Sequence, residues 1–305
     1  MRARPWLRWV ISLTVLTALL TWLEPERIAA EITRFEPGWL GLALLVATAQ
    51  TALSAWRWRF TAGRLGLSLE TRTALADYYL AGFINQVVPG GVLGDAWRAQ
   101  RHARASGHSG PAWRAVILER ASGQLVVLGL AGLALVTYRP WRETLLAAPH
   151  GGAPWPLGLG LAVLAAMIVI LRARWQPLLA ILRRDVARAL LARDAWPRQL
   201  GSSLLIVFSY LLVFAACARA IGVELPLVAL MLMALPVLLA MLVPLTVAGW
   251  GFREGAAAAV WLAGGLAPEQ GVAASLAYGV TVLLASLPGA AVLAFGWSAK
   301  AHVNQ

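Results

Sequence analysis

The pattern of apolar and polar positions divides the chain into long runs of Leu, Val, Ala and Ile separated by short basic stretches. Six runs, at about 7–23, 39–55, 115–137, 156–171, 200–221 and 272–297, approach or reach the roughly 17–25 residues a helix needs to cross a bilayer's hydrocarbon. Two further apolar regions, about 74–97 and 226–264, are interrupted in their middles by "VVPGGVLGD" and "VPLTVAGWG". Proline removes a backbone donor and clashes with the preceding turn, and glycine admits conformations that other residues avoid. Each region is therefore predicted to be a broken helical hairpin. The expected architecture is an all-α polytopic membrane protein with about six full spans and two re-entrant or broken hairpins.

Composition agrees. At 305 residues, 60% hydrophobic, 13% charged and a mean hydropathy of +0.70, the chain has more apolar surface than one soluble core of that size could cover. Many of the 15 tryptophans, among them Trp6, Trp22, Trp39, Trp56, Trp155 and Trp297, flank the runs where an aromatic belt belongs. The opening "MRARPWLRWVISLTVLTALLTWLEPE" has the basic-then-apolar order of a signal peptide, but its apolar part is long and no A-x-A site follows, so an uncleaved first span is expected.

The formal charge of +12 does not point to nucleic acid, because the arginines lie between the apolar runs and not on one soluble face. With the amino terminus in the cytoplasm, 19 of the 26 Lys and Arg residues fall on that side. Four (Arg27, Arg34, Arg139 and Arg142) fall outside, and three lie within apolar runs. The positive-inside rule favours this orientation, with both termini cytoplasmic. It holds only if region 74–97 enters from and returns to the cytoplasm, while region 226–264 begins and ends outside. The basic segment Arg172 to Arg198 is expected on the cytoplasmic leaflet, where anionic lipid attracts it.

A repeat links the two interruptions. "VPGGVLGDAWR" (Val88 to Arg98) and "VPLTVAGWGFR" (Val243 to Arg253) both read V-P-x4-G-x3-R, 155 residues apart. With opposite entry sides, the repeat predicts two inverted-topology halves, 1–150 and 151–305, within a single membrane domain. Irregular backbone at membrane depth is tolerated only where protein or a water-filled cavity covers it. The hinge residues would be Pro89, Gly90, Gly91 and Gly94 in one half and Pro244, Gly249 and Gly251 in the other.

Polar residues gather at the same places. Asn85, Asp95 and Arg98 surround the first break, Glu119 and Arg120 ("ILERASG") sit about one turn inside a span, and Arg253 and Glu254 ("GWGFREG") follow the second break. Charge there is expensive and normally pairs or faces water. A sheltered guanidinium binds phosphate in a bidentate way and stays charged, so Arg98 and Arg253 in particular are expected to contact an anionic headgroup. Ordinary interfacial roles for Asp95, Arg98, Glu119 and Arg120 stay open. The four histidines (His102, His108, His150 and His302) lack metal-ligand spacing, Cys217 has no disulfide partner, and no cofactor is expected. "GWGFREG" lacks the strand–turn–helix context of a dinucleotide fingerprint, and no catalytic motif is present, so the chain is not expected to be an enzyme.

The order "NQVVPGGVLGDAWR", "ILER", "VPLTVAGWGFREG" resembles that of the flippase-like membrane domain found at the amino terminus of lysylphosphatidylglycerol synthases and alone in shorter proteins. The resemblance covers about residues 5 to 298. It implies a bundle with re-entrant helices, associated with moving lipids or lipid-linked intermediates between leaflets. By motif position it marks Asn85, Pro89, Gly94, Asp95, Arg98, Glu119, Arg120, Gly249, Gly251, Arg253 and Glu254. An aspartate often follows the E-R pair in this family, where this chain has Ser122 and Gly123. The soluble aminoacyl-transferase domain is absent from this sequence, so lipid aminoacylation is not carried over. The expected function is a flippase-like lipid transporter of the bacterial inner membrane. Its substrate would be an amphipathic lipid, anionic or phosphate-bearing, either a phospholipid or a polyprenyl-linked lipid; a homodimer is left open. The alternatives are a membrane enzyme modifying a lipid headgroup and a non-transporting partner subunit of an envelope glycosyltransferase.

Overall fold

The computed structural model describes residues 36–88, 91–137, 176–241 and 248–295, with scattered positions between 10 and 28. The described residues form helices α1 (Pro37–Arg64), α2 (Thr71–Val87), α3 (Leu93–Ser106), α4 (Ser109–Thr137) and α5 (Gln176–Val186), the last continuing into a π-helical turn at Ala187–Leu191. Helices α6 (Trp196–Ala220), α7 (Leu227–Ala240), α8 (Phe252–Ala263) and α9 (Pro268–Ala294) follow. No strand occurs among the described residues. Prolines in the first turns of α1, α6 and α9 fit positions where a backbone N–H has no helical partner.

Among the described residues, four helices are long and apolar enough to cross a membrane: Pro37–Arg64, Ser109–Ala134, Trp196–Ala220 and Pro268–Ala294. They correspond to the spans expected at 39–55, 115–137, 200–221 and 272–297. The expected span 156–171 lies outside the described residues, and 7–23 is described only at scattered helical positions. The interrupted regions are indeed helix–break–helix, with α2 ending before residues 88–92 and α7 ending well before α8.

The arm after the first break is longer than the predicted end at 97. Helix α3 runs on to Ser106 through "LGDAWRAQRHARAS". Asp95, Arg98 and His102 are buried on it while Gln100 and Arg104 are exposed, so an apolar-run criterion stops too early.

Helices α1 and α6 run antiparallel. The Glu36 N–H donates to the Ala220 carbonyl at 2.8 Å, while at the opposite end Gln199 Nε2 donates to Thr61 Oγ1 at 2.8 Å. The buried face of α1 carries small residues such as Ala43, Ala47, Ala55 and Ala62, which lets helices approach closely where water offers no driving force. At the Thr61 end, Arg64 pairs with Asp194 at 2.5 Å and Arg114 pairs with Asp185, so α1, α4 and the segment before α6 share one charged end of the bundle. Hydrogen bonding from Arg64 holds the exposed Asp194 carboxyl below the usual carboxylate range.

The order of α1 to α4 recurs in α6 to α9. The first set begins at residues 37, 71, 93 and 109 and the second at 196, 227, 252 and 268. Packing recurs as well: α3 lies on α4 as α8 lies on α9, and α1 on α4 as α6 on α9. Between the sets, α2 meets α9 as α7 meets α4.

Candidate functional site

A cavity of about 630 Å³ lies between the two sets of helices. Gly91 and Val92 from the first break and Ala248 and Gly249 from the second both line it, as do Asn85, Asp95 and Arg120. Thus the two breaks, far apart in sequence, open onto one space.

One wall is backed by an ion network. Glu119 is fully buried; its Oε1 accepts from Arg57 Nη2 at 2.6 Å, and its Oε2 accepts from Arg98 Nη2 at 2.7 Å. Arg98 also pairs with Asp95 at 2.9 Å, and the other oxygen of Asp95 accepts from Arg120 Nη2 at 2.7 Å and from Asn85 Nδ2 at 3.2 Å. Arg57 completes its bonding with the Ser203 hydroxyl at 2.9 Å, and Tyr78 donates to Glu119 at 3.3 Å. Three guanidiniums against two carboxylates leave one positive charge uncompensated. The cation that reaches the cavity most openly is Arg120, 39% exposed.

Local sequence explains how these groups meet. Arg57 and Glu119 lie about seven and five residues in from Arg64 and Arg114, which places the network roughly 8–10 Å inward from the charged end of the bundle. Gly94 lets α3 close on α2. A Cβ there would lie 2.0 Å from the Ala81 carbonyl oxygen, and the Gly94 N–H instead donates to Asn85 Oδ1 at 2.8 Å. At Gly123 the space beside the backbone is taken by the Arg57 guanidinium.

A second cluster surrounds Arg253. Its guanidinium pairs with Glu254 at 2.7 Å, its Nε donates to Ser275 Oγ at 3.0 Å, and both charged residues are fully buried. Glu254 also accepts from the Gly251 N–H at 2.6 Å, capping the start of α8. Both motif arginines are sandwiched by aromatic rings. Arg98 lies 4.7 Å from Trp58 and 4.6 Å from Tyr78, and Arg253 lies 4.6 Å from Trp250 and 5.5 Å from Tyr278.

Among the expected site residues, then, Asn85, Asp95 and Arg120 are at the cavity and Glu119 is directly behind it. Arg98 and Arg253, expected as headgroup contacts, are fully buried, each with a carboxylate partner and two aromatic rings beside its guanidinium. Of the expected hinge residues, Pro89, Gly90 and Pro244 lie outside the described residues. Arg57, Tyr78 and Ser203 were not anticipated. An arginine inside "SAWRWRF", at the end of an apolar run, was the available signal, and its charge was counted toward topology instead. No cluster of three or more potential metal ligands occurs among the described residues.

Long apolar helices and a polar cavity within the bundle define a multi-pass helical membrane protein. The chain belongs to the family of the lysylphosphatidylglycerol synthase transmembrane region, whose model matches residues 9–289, and this relates it to lipid handling. No curated protein and no solved structure matches the chain.

Proposed function

We propose that the protein is a flippase-like lipid transporter of the bacterial inner membrane, in which the central cavity holds a phosphate-bearing headgroup while the lipid tails stay in the bilayer. The observation that carries this reading is the shared cavity: both breaks line it, and its wall network has one guanidinium more than carboxylates. A polar headgroup crossing hydrocarbon loses its hydration, and a cavity supplying hydrogen bonds and opposite charge offsets part of that loss. In this reading Arg120 contacts the phosphate, and Arg57, Arg98 and Glu119 hold the wall in shape behind it.

The antiparallel α1–α6 pair, the recurring helix order and the breaks meeting in one cavity support two inverted halves with re-entrant hairpins. The charged end that carries Arg64 and Arg114 is assigned to the cytoplasm. Single-cysteine labelling in a Cys217→Ser background should then place positions 64 and 108 on the cytoplasmic side and position 268 outside; periplasmic labelling at 108 would overturn the assignment.

Transport is tested in proteoliposomes carrying a tail-labelled fluorescent phospholipid, with a membrane-impermeant quencher reporting the outer leaflet. Arg120→Ala is expected to slow translocation about 10- to 100-fold, the range of a lost hydrogen bond to a charged group, and Arg120→Lys to restore it in part. Normal transport by folded Arg120→Ala protein would sink the headgroup assignment. A changed lipid mass after incubation would favour the enzyme reading.

A further inference from the structure

A second groove, of about 490 Å³, lies on the outer surface at the charged end of the bundle and shares no lining residue with the central cavity. Trp56, Arg59, Phe60, Gly63 and Arg64 form one side of it, and the loop at 67–70 forms the other. Positions 56, 59, 60, 63 and 64 follow the i, i+3, i+4 spacing of a single helix face. The intervening Arg57, Trp58, Thr61 and Ala62 are buried, so the groove lies on the side of α1 turned away from the ion network.

The groove presents a cation held in place. Arg59 Nε donates to the Leu69 carbonyl at 2.8 Å, which ties the guanidinium to the loop and leaves both terminal nitrogens without a partner among the described residues. Arg64 is already engaged: its two terminal nitrogens grip both carboxylate oxygens of Asp194, at 2.5 and 3.1 Å. From α6, Arg198 lies 6.0 Å from the Phe60 ring and has no hydrogen-bond partner among the described residues. Once Arg64 and Asp194 cancel, the exposed Arg59 and Arg198 face a single acid, Glu70. At Gly63 an added Cβ would meet nothing within 4 Å, so the groove stays open along the helix.

The apolar part of the wall favours a lipid over a free anion. Trp56 and Phe60 stack with ring centres 5.6 Å apart, and Trp56 is exposed, as tryptophans at a membrane interface are. On the same side of α1, the exposed Leu42, Leu45, Ala49 and Ala52 continue the strip away from the charged end. An apolar strip that leads past two rings to a pair of guanidiniums matches an acyl chain, a glycerol and a phosphate in that order.

We propose that this groove binds an anionic phospholipid of the leaflet at the charged end, outside the central cavity. Arg59 and Arg198 meet its phosphate, Trp56 and Phe60 pack against its glycerol and upper chain, and the chain follows the α1 strip. The bound lipid bridges α1, the 67–70 loop and the start of α6. This holds whether or not the central cavity transports lipid.

The test places the purified protein in phosphatidylcholine nanodiscs with a trace of phosphatidylglycerol bearing a diazirine high on one chain; a parallel sample receives phosphatidylcholine with the same probe. After photolysis, adducts are located by peptide mass spectrometry. Adducts on residues 52–70 are expected to favour phosphatidylglycerol about tenfold or more, since each basic residue near an anionic headgroup contributes a preference of about fivefold. Arg59→Gln and Arg198→Gln should each lower that ratio about fivefold. Arg198→Gln removes no hydrogen bond among the described residues, so it reads recognition even if Arg59→Gln loosens the loop. Arg120→Ala, at the central cavity, should leave the ratio unchanged. Equal labelling by the two probes, or a ratio that neither groove variant moves, overturns the proposal. Loss of the adducts in Arg120→Ala would make the groove a station on the path through the cavity, and their loss in excess inorganic phosphate would make it a free-anion site; either result overturns it.

Discussion

Arg98 and Arg253 occupy matching places in the repeat, and their surroundings show how far two copies of one motif can diverge. Each sits on the short helix after a break, pairs with a carboxylate of its own helix, and lies between two aromatic rings. The Arg253 cluster closes on itself: one arginine, one glutamate and one serine, with Glu254 also capping its own helix. The Arg98 cluster reaches outward through Glu119 to Arg57 on α1 and through Asp95 to Arg120 at the cavity. The same local chemistry thus makes a neutral strut in one half and a charged, cavity-facing network in the other.

The largest expected effect comes from removing the shared acid. Glu119→Ala removes two buried ion pairs at once, leaving Arg57 with only the Ser203 hydroxyl and Arg98 with Asp95 alone, and breaking a buried pair costs about 3–5 kcal/mol, so folded protein should be largely lost. Glu254→Ala removes one such pair and should cost less; thermal melting in detergent compares them, and equal losses would erase the distinction between network and strut.

Next come the glycines that make room for each cluster. Gly94→Ala drives a methyl into the Ala81 carbonyl, a collision with backbone that can be relieved only by moving α3 off α2, at about 1–3 kcal/mol or more. At Gly279 the added methyl would meet Arg253 Nη2 at 2.2 Å and Trp250 at 2.8 Å, side-chain atoms with more freedom to yield. Gly94→Ala should therefore lower the melting temperature further. The opposite ranking would mean that the Arg253 clamp is the stiffer part.

At the bottom of the stability scale stands Arg120→Ala, whose partly exposed pair with Asp95 contributes about 0–1 kcal/mol. A variant that barely shifts melting yet nearly abolishes translocation would separate the cavity face of the network from its structural interior. A melting loss as large as that of Glu119→Ala would merge them.

Much of this was legible in the sequence, for identifiable reasons. The four long helices announce themselves by apolar length, and the breaks by proline and glycine within apolar runs. The shared V-P-x4-G-x3-R spacing picked out the two clusters. What stayed hidden was partnership. Arg57 and Glu119 are 62 residues apart and meet only because α1 packs on α4, so Arg57 read as one more topology-setting charge. The burial of Arg98 and Arg253 was also invisible, since the rings that cover them come partly from other helices: Trp58 from α1, Tyr78 from α2 and Tyr278 from α9. Helix α3 was cut short because polar residues that face protein look, in one dimension, like residues that face water.

An odd number of charges gives the cavity wall an electrical character. With nothing bound, the network carries one net positive charge, and moving one elementary charge through the whole membrane field exchanges about 2.3 kcal/mol per 100 mV. A monoanionic headgroup cancels that charge. In the proposed cycle, rearrangement of the loaded protein would be nearly insensitive to membrane voltage, while the return of the empty one would be the step that an inside-negative potential pulls toward the cytoplasmic side.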